Sequence, residues 1–173
     1  HLDGAALIAL CSPLNPTGTT FGEDALREIC EMVVEENEKR KGNTKPLYIL
    51  YDQLYWTLTH GETRHHHPVD VCPAVKEYAI YIDGLSKAFA ATGVRVGWAV
   101  GPDVVMGKMR SILSHVGAWS PKPEQVGTAA FLRNKSVVQE YLDSFREALH
   151  KRLEGFYNHF QFLKASGFPV DCI

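Results

Sequence analysis

No run of apolar residues in the chain is longer than Ala5 to Cys11, far short of the ~20 needed to span a bilayer. Charge of neither sign dominates: 18 Lys and Arg stand against 20 Asp and Glu, a net of −2. Polyanions are drawn by a basic excess, so neither nucleic acid nor a membrane is an expected partner. Cysteine is sparse. Cys11, Cys30, Cys72 and Cys172 are scattered, with no C-x-x-C pair, which argues for reduced thiols rather than a disulfide framework or a zinc site. No G-x-G-x-x-G is present, so a nicotinamide site has no support. Gly101 to Lys108 fails as a phosphate loop, because one residue too many separates its glycines and Met109 follows the lysine. Repeats and low-complexity tracts are missing too. The opening residues carry no secretory-signal pattern, and the expected location is the cytoplasm. The chain starts at His1 rather than Met and is expected to be a piece of a longer protein.

Of its 173 residues, 45% are hydrophobic, enough to bury a core and exclude disorder. Ala5–Cys11, Leu47–Tyr51 and Tyr78–Asp83 are short, apolar and bounded by turn residues, which predicts three buried strands. Between the first two, Leu26, Ile29, Cys30 and Val33 recur on one face of a helix from about Gly22 to Arg40. Glu23 and Asp24 open it, Lys39 to Lys41 close it and Gly42 stops it. Strand, helix, strand is the grammar of a parallel sheet.

Val94–Val100 is a fourth predicted strand. Val94, Val96, Trp98 and Val100 would share one face, with Arg95, Gly97 and Ala99 on the other. The C-terminal third reads as helices over 103–116, 123–132 and 137–165. The last is longer than globular helices usually are; it suits a bridge between domains, with a heptad coiled coil as the alternative. Leu58 to Pro73, including His65, His66 and His67, reads as a solvated loop and not as a metal site.

Four short signals fall at or just beyond strand ends, where open α/β sheets place their ligands. Ser12 to Gly18 is a rigid turn that can hold the Asn15 amide in one place. Asp52 and Tyr55, three residues apart, can face one pocket. Gly84 to Ala90 carries Lys87 among small residues, and Arg95 lies between Gly93 and Gly97, where a guanidinium can grip a phosphate. Taken singly, each has a plainer reading: a turn, a cap with a packed tyrosine, a surface lysine, an ion pair.

In this order the four signals resemble the class I/II aminotransferases, the aspartate-aminotransferase-like, pyridoxal-phosphate-dependent enzymes of fold type I. The resemblance covers roughly Ala5 to Val100: Gly84 to Gly97 resembles the family's lysine motif, and Asn15-Pro16-Thr17-Gly18 and Asp52-x-x-Tyr55 its other two landmarks. It implies a three-layer α/β/α fold with a mostly parallel sheet, in which Val94–Val100 is expected to be the antiparallel member. Residues 1–135 would be the central part of the large domain, and 136–173 a long helix leading toward a small C-terminal domain that is absent. It also implies pyridoxal 5'-phosphate as cofactor, an amino acid and a 2-oxo acid as substrates, and a homodimer in the complete protein.

By the same resemblance, Lys87 forms the Schiff base with the cofactor aldehyde and later moves the substrate proton. Asp52 pairs with the ring nitrogen, Asn15 and Tyr55 bond the ring phenolic oxygen, and Arg95 anchors the phosphate, with a lesser part for Ser86. Many relatives have a serine three residues before the lysine, where this chain has Gly84. Trp119-Ser120-Pro121 falls where relatives reach toward the neighbouring subunit's cofactor. The same lysine and aspartate also serve β-elimination lyases, decarboxylases and cyclopropane-forming synthases, and a non-catalytic sensor domain is a further alternative.

Overall fold

The computed structural model describes residues 2, 4–41 and 44–171. Among these, β1 (Leu7–Cys11), β2 (Tyr48–Asp52), β3 (Ala79–Gly84) and β4 (Gly97–Val100) form one sheet in the order β1-β2-β3-β4. The first three strands are parallel and β4 runs antiparallel to β3, as expected. Cys11 lies opposite Asp52, and Asp52 opposite Ile82. The carboxyl ends of β1 and β2 are therefore level, β3 runs two residues further to Gly84, and the loops that follow them leave from one edge.

The core of the first unit is built by α1 (Glu23–Arg40) against this sheet. Leu26, Cys30 and Val33 are fully buried on its inner face and meet Leu47, Ile49 and Tyr51. Each such side chain contributes about 1.5–3 kcal/mol on burial. Asn37 follows them on the same helix face, yet is 3% exposed. Its amide bonds the Val33 and Leu47 carbonyls at 2.9 and 2.8 Å and accepts the Leu47 N–H at 2.8 Å. A side chain thus stands in for a backbone partner where β2 begins. Arg40 closes the helix by bonding the carbonyls of Leu2 and Ala5, both at 2.6 Å. The stop expected at Gly42 lies outside the described residues.

Several expectations need correction. β1 is not buried on both faces: Ile8 and Leu10 pack on the core, whereas Leu7 is half exposed. β2 begins and ends one residue late, because Asn37 rather than the ladder satisfies Leu47 and because Asp52 pairs on both sides. Val94 and Arg95 are not in a strand. Thr92–Val94 is a 3-10 turn, and Arg95 sits in the left-handed region at φ 60, where its Nη1 bonds the Thr92 carbonyl at 2.9 Å. Nor is Leu58 to Pro73 all loop, since Pro68–Val71 makes one helical turn, α2, started by its proline.

A further turn, α3 (Leu85–Ala88), follows β3. The helices α4 (Asp103–Val116), α5 (Lys122–Arg133) and α6 (Lys135–Ala165) fall within two residues of their predicted bounds. The chain divides into two units, residues 1–130 and 131–173. In the second, Asn134 caps α6 by accepting the Val137 N–H, and Glu147 pairs with Lys151 one turn on at 2.7 Å. No helix among the described residues is long and apolar enough to cross a membrane. Cys11, Cys30 and Cys72 are free thiols, and Cys172 lies outside the described residues.

Candidate active site

The loop after β1 is pinned at both ends. Ser12 is buried, its N–H bonds the Asp52 carbonyl at 3.0 Å and its Oγ accepts the Phe21 N–H at 3.2 Å. Within the loop, the Gly18 N–H reaches the Leu14 carbonyl at 2.7 Å and the Leu14 N–H reaches Thr19 at 2.9 Å. Closing so short a loop requires a positive φ, which Gly18 supplies at 71° without a Cβ penalty. This frame presents Asn15, whose Nδ2 points to the Tyr55 hydroxyl at 3.4 Å.

Asp52 ends β2 and Tyr55 opens the 3-10 turn Trp56–Leu58. Asp52 Oδ1 accepts the Leu54 N–H at 3.1 Å, a tight carboxylate turn that leaves Oδ2 with no protein donor among the described residues. Lys87, half-buried on α3, carries its Nζ over the Tyr55 ring, 5.7 Å from the centroid. Loops from three adjacent strand ends therefore bring an amide, a phenol and an ammonium together.

Ser86 and Arg95 belong to a second grouping. With Gly84, Gly97 and Trp98 they line a cavity of ≈ 350 Å³, which Asp83 also borders. Asn15, Asp52, Tyr55 and Lys87 are not among its lining residues. Leu85–Ala88 is helical, and Ser86 shares the cavity wall with Arg95.

One group of residues escaped the sequence reading. Asp83 is 9% exposed, and its carboxylate is held by N–H donors. Its Oδ2 accepts the Trp56 Nε1–H at 2.9 Å and faces Gln53 Nε2 at 3.5 Å, while Oδ1 accepts the Gly84 N–H at 2.7 Å. Burial raises its carboxyl above the usual range, opposed by these three donors. Gln53 Oε1 continues to His67 Nδ1 at 3.0 Å. The histidine tract is accordingly not a solvated loop. His65 packs between Tyr51 and Trp56, its ring nitrogens buried and without a hydrogen-bond partner among the described residues, and burial pushes it down to about 4. No cluster of three or more metal-ligating side chains occurs among the described residues. An acid ending the apolar run of β3 was the one available hint of this network.

These features define an α/β domain that gathers polar side chains at the carboxyl ends of a mostly parallel sheet. The family model for aminotransferase class I and II matches residues 2–170, and the chain belongs to that family. Its relatives include the aspartate aminotransferase of Bacillus subtilis (strain 168), 30% identical over 150 residues that are 87% of this chain and 35% of the relative. A probable aspartate/prephenate aminotransferase of Thermus aquaticus is 32% identical over 82% of this chain and 33% of its own. The solved aspartate aminotransferase from Thermus thermophilus with maleate superposes with a TM-score of 0.77 at 29% identity, covering 94% of this chain and 38% of that one. The chain spans about a third of the length of the curated relatives it matches.

Proposed function

We propose that the complete protein carrying this sequence is a pyridoxal-phosphate-dependent aminotransferase. It would move an amino group between an amino acid and a 2-oxo acid, as a cytoplasmic homodimer. The observation that carries this reading is the convergence of Asn15, Tyr55 and Lys87 from three separate strand ends, with a 3.4 Å approach between the first two and Lys87 5.7 Å from the Tyr55 ring.

The donor set suits pyridoxal 5'-phosphate. Lys87 offers an amine for the aldehyde, Asp52 an open carboxylate oxygen for the ring nitrogen, and Asn15 and Tyr55 two hydrogen-bonding groups for the phenolic oxygen. Ser86 and Arg95, on one cavity wall, supply a hydroxyl and a permanent cation for the phosphate. When bound, the cofactor supplies an electron sink for charge developing at the substrate α-carbon. The residues do the remaining work. Asp52, as an anion, favours a protonated ring nitrogen. Lys87 Nζ, once an amino-acid substrate takes its place, accepts the proton from the substrate α-carbon. Tyr55 and Asn15 limit how far the ring can turn.

Replacement of Lys87 by alanine in the complete protein tests the reading. Lys87→Ala is expected to abolish both the visible absorbance of the bound cofactor and amino transfer to an added 2-oxo acid. Retention of both would refute it. Release of ammonia without any acceptor would instead identify a lyase.

A further inference from the structure

In the segment Asp52-Gln53-Leu54-Tyr55-Trp56, the residues assigned to the cofactor alternate with residues that bond inward. Gln53 and Trp56 both direct N–H groups at the Asp83 carboxylate, whose other oxygen holds the Gly84 N–H at the start of the segment leading to Lys87. One buried carboxylate thus ties the turn bearing Asp52 and Tyr55 to the strand end bearing Lys87. The Gln53 N–H to the Ile82 carbonyl, 3.1 Å, is the backbone tie beside it. On the far side, His67 holds Gln53 at 3.0 Å and sets its ring edge on Trp56 at 5.5 Å, so neither donor is free to swing.

We propose that Asp83 is a positioning residue that acts through Trp56 and Gln53 to hold the Asp52–Tyr55 turn at its distance from Lys87. The use of that distance rests on the reading of Lys87 as the cofactor lysine. The tie itself does not. An ionised carboxylate accepts from three converging N–H groups at once. An amide has one acceptor oxygen and would turn its NH2 toward one of those donors, leaving it unpaired in a buried place.

The test uses the complete protein with Asp83→Asn and Trp56→Phe, the second removing only the indole N–H from an aromatic side chain. Cofactor-free protein is treated with an amine-acetylating reagent at fixed pH, and the labelling rate of Lys87 is measured by mass spectrometry relative to Lys39 on α1. Both variants are expected to raise the Lys87 rate about threefold as its ammonium loses the Tyr55 face, with Lys39 unchanged. Affinity for added pyridoxal 5'-phosphate is expected to fall about tenfold. An unchanged Lys87 rate together with a lowered melting temperature makes Asp83 a merely structural acid and overturns the proposal. If Asp83→Asn does not fold, Trp56→Phe decides by the same readout. Should the parent protein fail to bind pyridoxal 5'-phosphate while the Lys87 rate still rises in the variants, the positioning role stands and the functional reading falls.

Discussion

Gly84 and Gly97 face each other across the antiparallel pair β3–β4 so closely that a Cβ built on Gly84 would lie 3.0 Å from the Gly97 Cα and 3.0 Å from the Val96 carbonyl oxygen. The partner backbone therefore leaves no room for a side chain at Gly84. Neither obstacle is a flexible side chain, so the strands themselves would have to part. Gly84→Ser is expected to destabilise the complete protein by about 1–3 kcal/mol. Gly97→Ala, whose Cβ would meet the Asp83 carbonyl at 3.0 Å, should behave alike. Urea midpoints measure both. An unchanged midpoint for Gly84→Ser would show that the pair can open without cost, and that serine could then serve as a phosphate ligand.

Asn37 sets where β2 begins, and through β2 the place of Asp52. Replacing it by alanine leaves the Leu47 N–H and carbonyl without their side-chain partner in a fully buried position. The expected loss is about 2–5 kcal/mol. Asn37→Asp should be no milder, because its second oxygen would confront the Val33 and Leu47 carbonyls in place of an NH2. Equilibrium urea unfolding with a constant slope checks this. A loss below that of an ordinary surface substitution would mean that water replaces the amide.

These two positions mark how far the sequence could be read. The apolar runs announce three parallel strands, and Asn15, Asp52, Tyr55 and Lys87 stand at or a few residues past their ends; local spacing makes each no more than a turn, a cap or a surface lysine, and their roles rest on the resemblance of the ordered set to a family. Leu47 looks like strand because it is as buried as strand, although Asn37 and not the ladder satisfies it. Val94 and Val96 keep a strand's alternation, yet Arg95 between them takes a left-handed conformation. The convergence of Gln53, Trp56 and Asp83 crosses 27 to 30 residues of chain. No local pattern encodes such a contact; register between β2 and β3 creates it.

The pH dependence of stability has an identifiable source in His65. Burial, and then the neighbouring His67 and His66, lower it from 6.5 to about 4. Between those values the unfolded chain binds a proton there and the folded chain does not, so stability drops as pH falls from 6.5 toward 4. Asp83, raised by burial, acts with the opposite sign, costing stability as pH rises through its own titration. His65→Phe keeps the ring beside Tyr51 and Trp56 and removes two unpartnered nitrogens. The variant is expected to match or exceed the parent at pH 7 and to lose less stability by pH 4.5. Parallel profiles for the two proteins would assign the acid loss elsewhere.

Arg95 offers the sharpest separation between a phosphate ligand and a structural arginine. Its left-handed backbone and the 2.9 Å bond from Nη1 to the Thr92 carbonyl fix the guanidinium at its base, while the side chain stays exposed on the wall of the cavity it shares with Ser86. A lysine would keep the charge and lose the planar fork that matches two phosphate oxygens. Arg95→Lys is therefore expected to weaken pyridoxal 5'-phosphate binding about tenfold while leaving pyridoxal, which lacks the phosphate, unaffected. Titrating both compounds into parent and variant, followed by absorbance, compares the four affinities directly. Equal weakening of the two ligands would place the effect in the fold around the 3-10 turn. Loss confined to the phosphorylated one requires a contact that only the phosphate can make, and among the described residues Arg95 is the only charged side chain besides Asp83 on that wall.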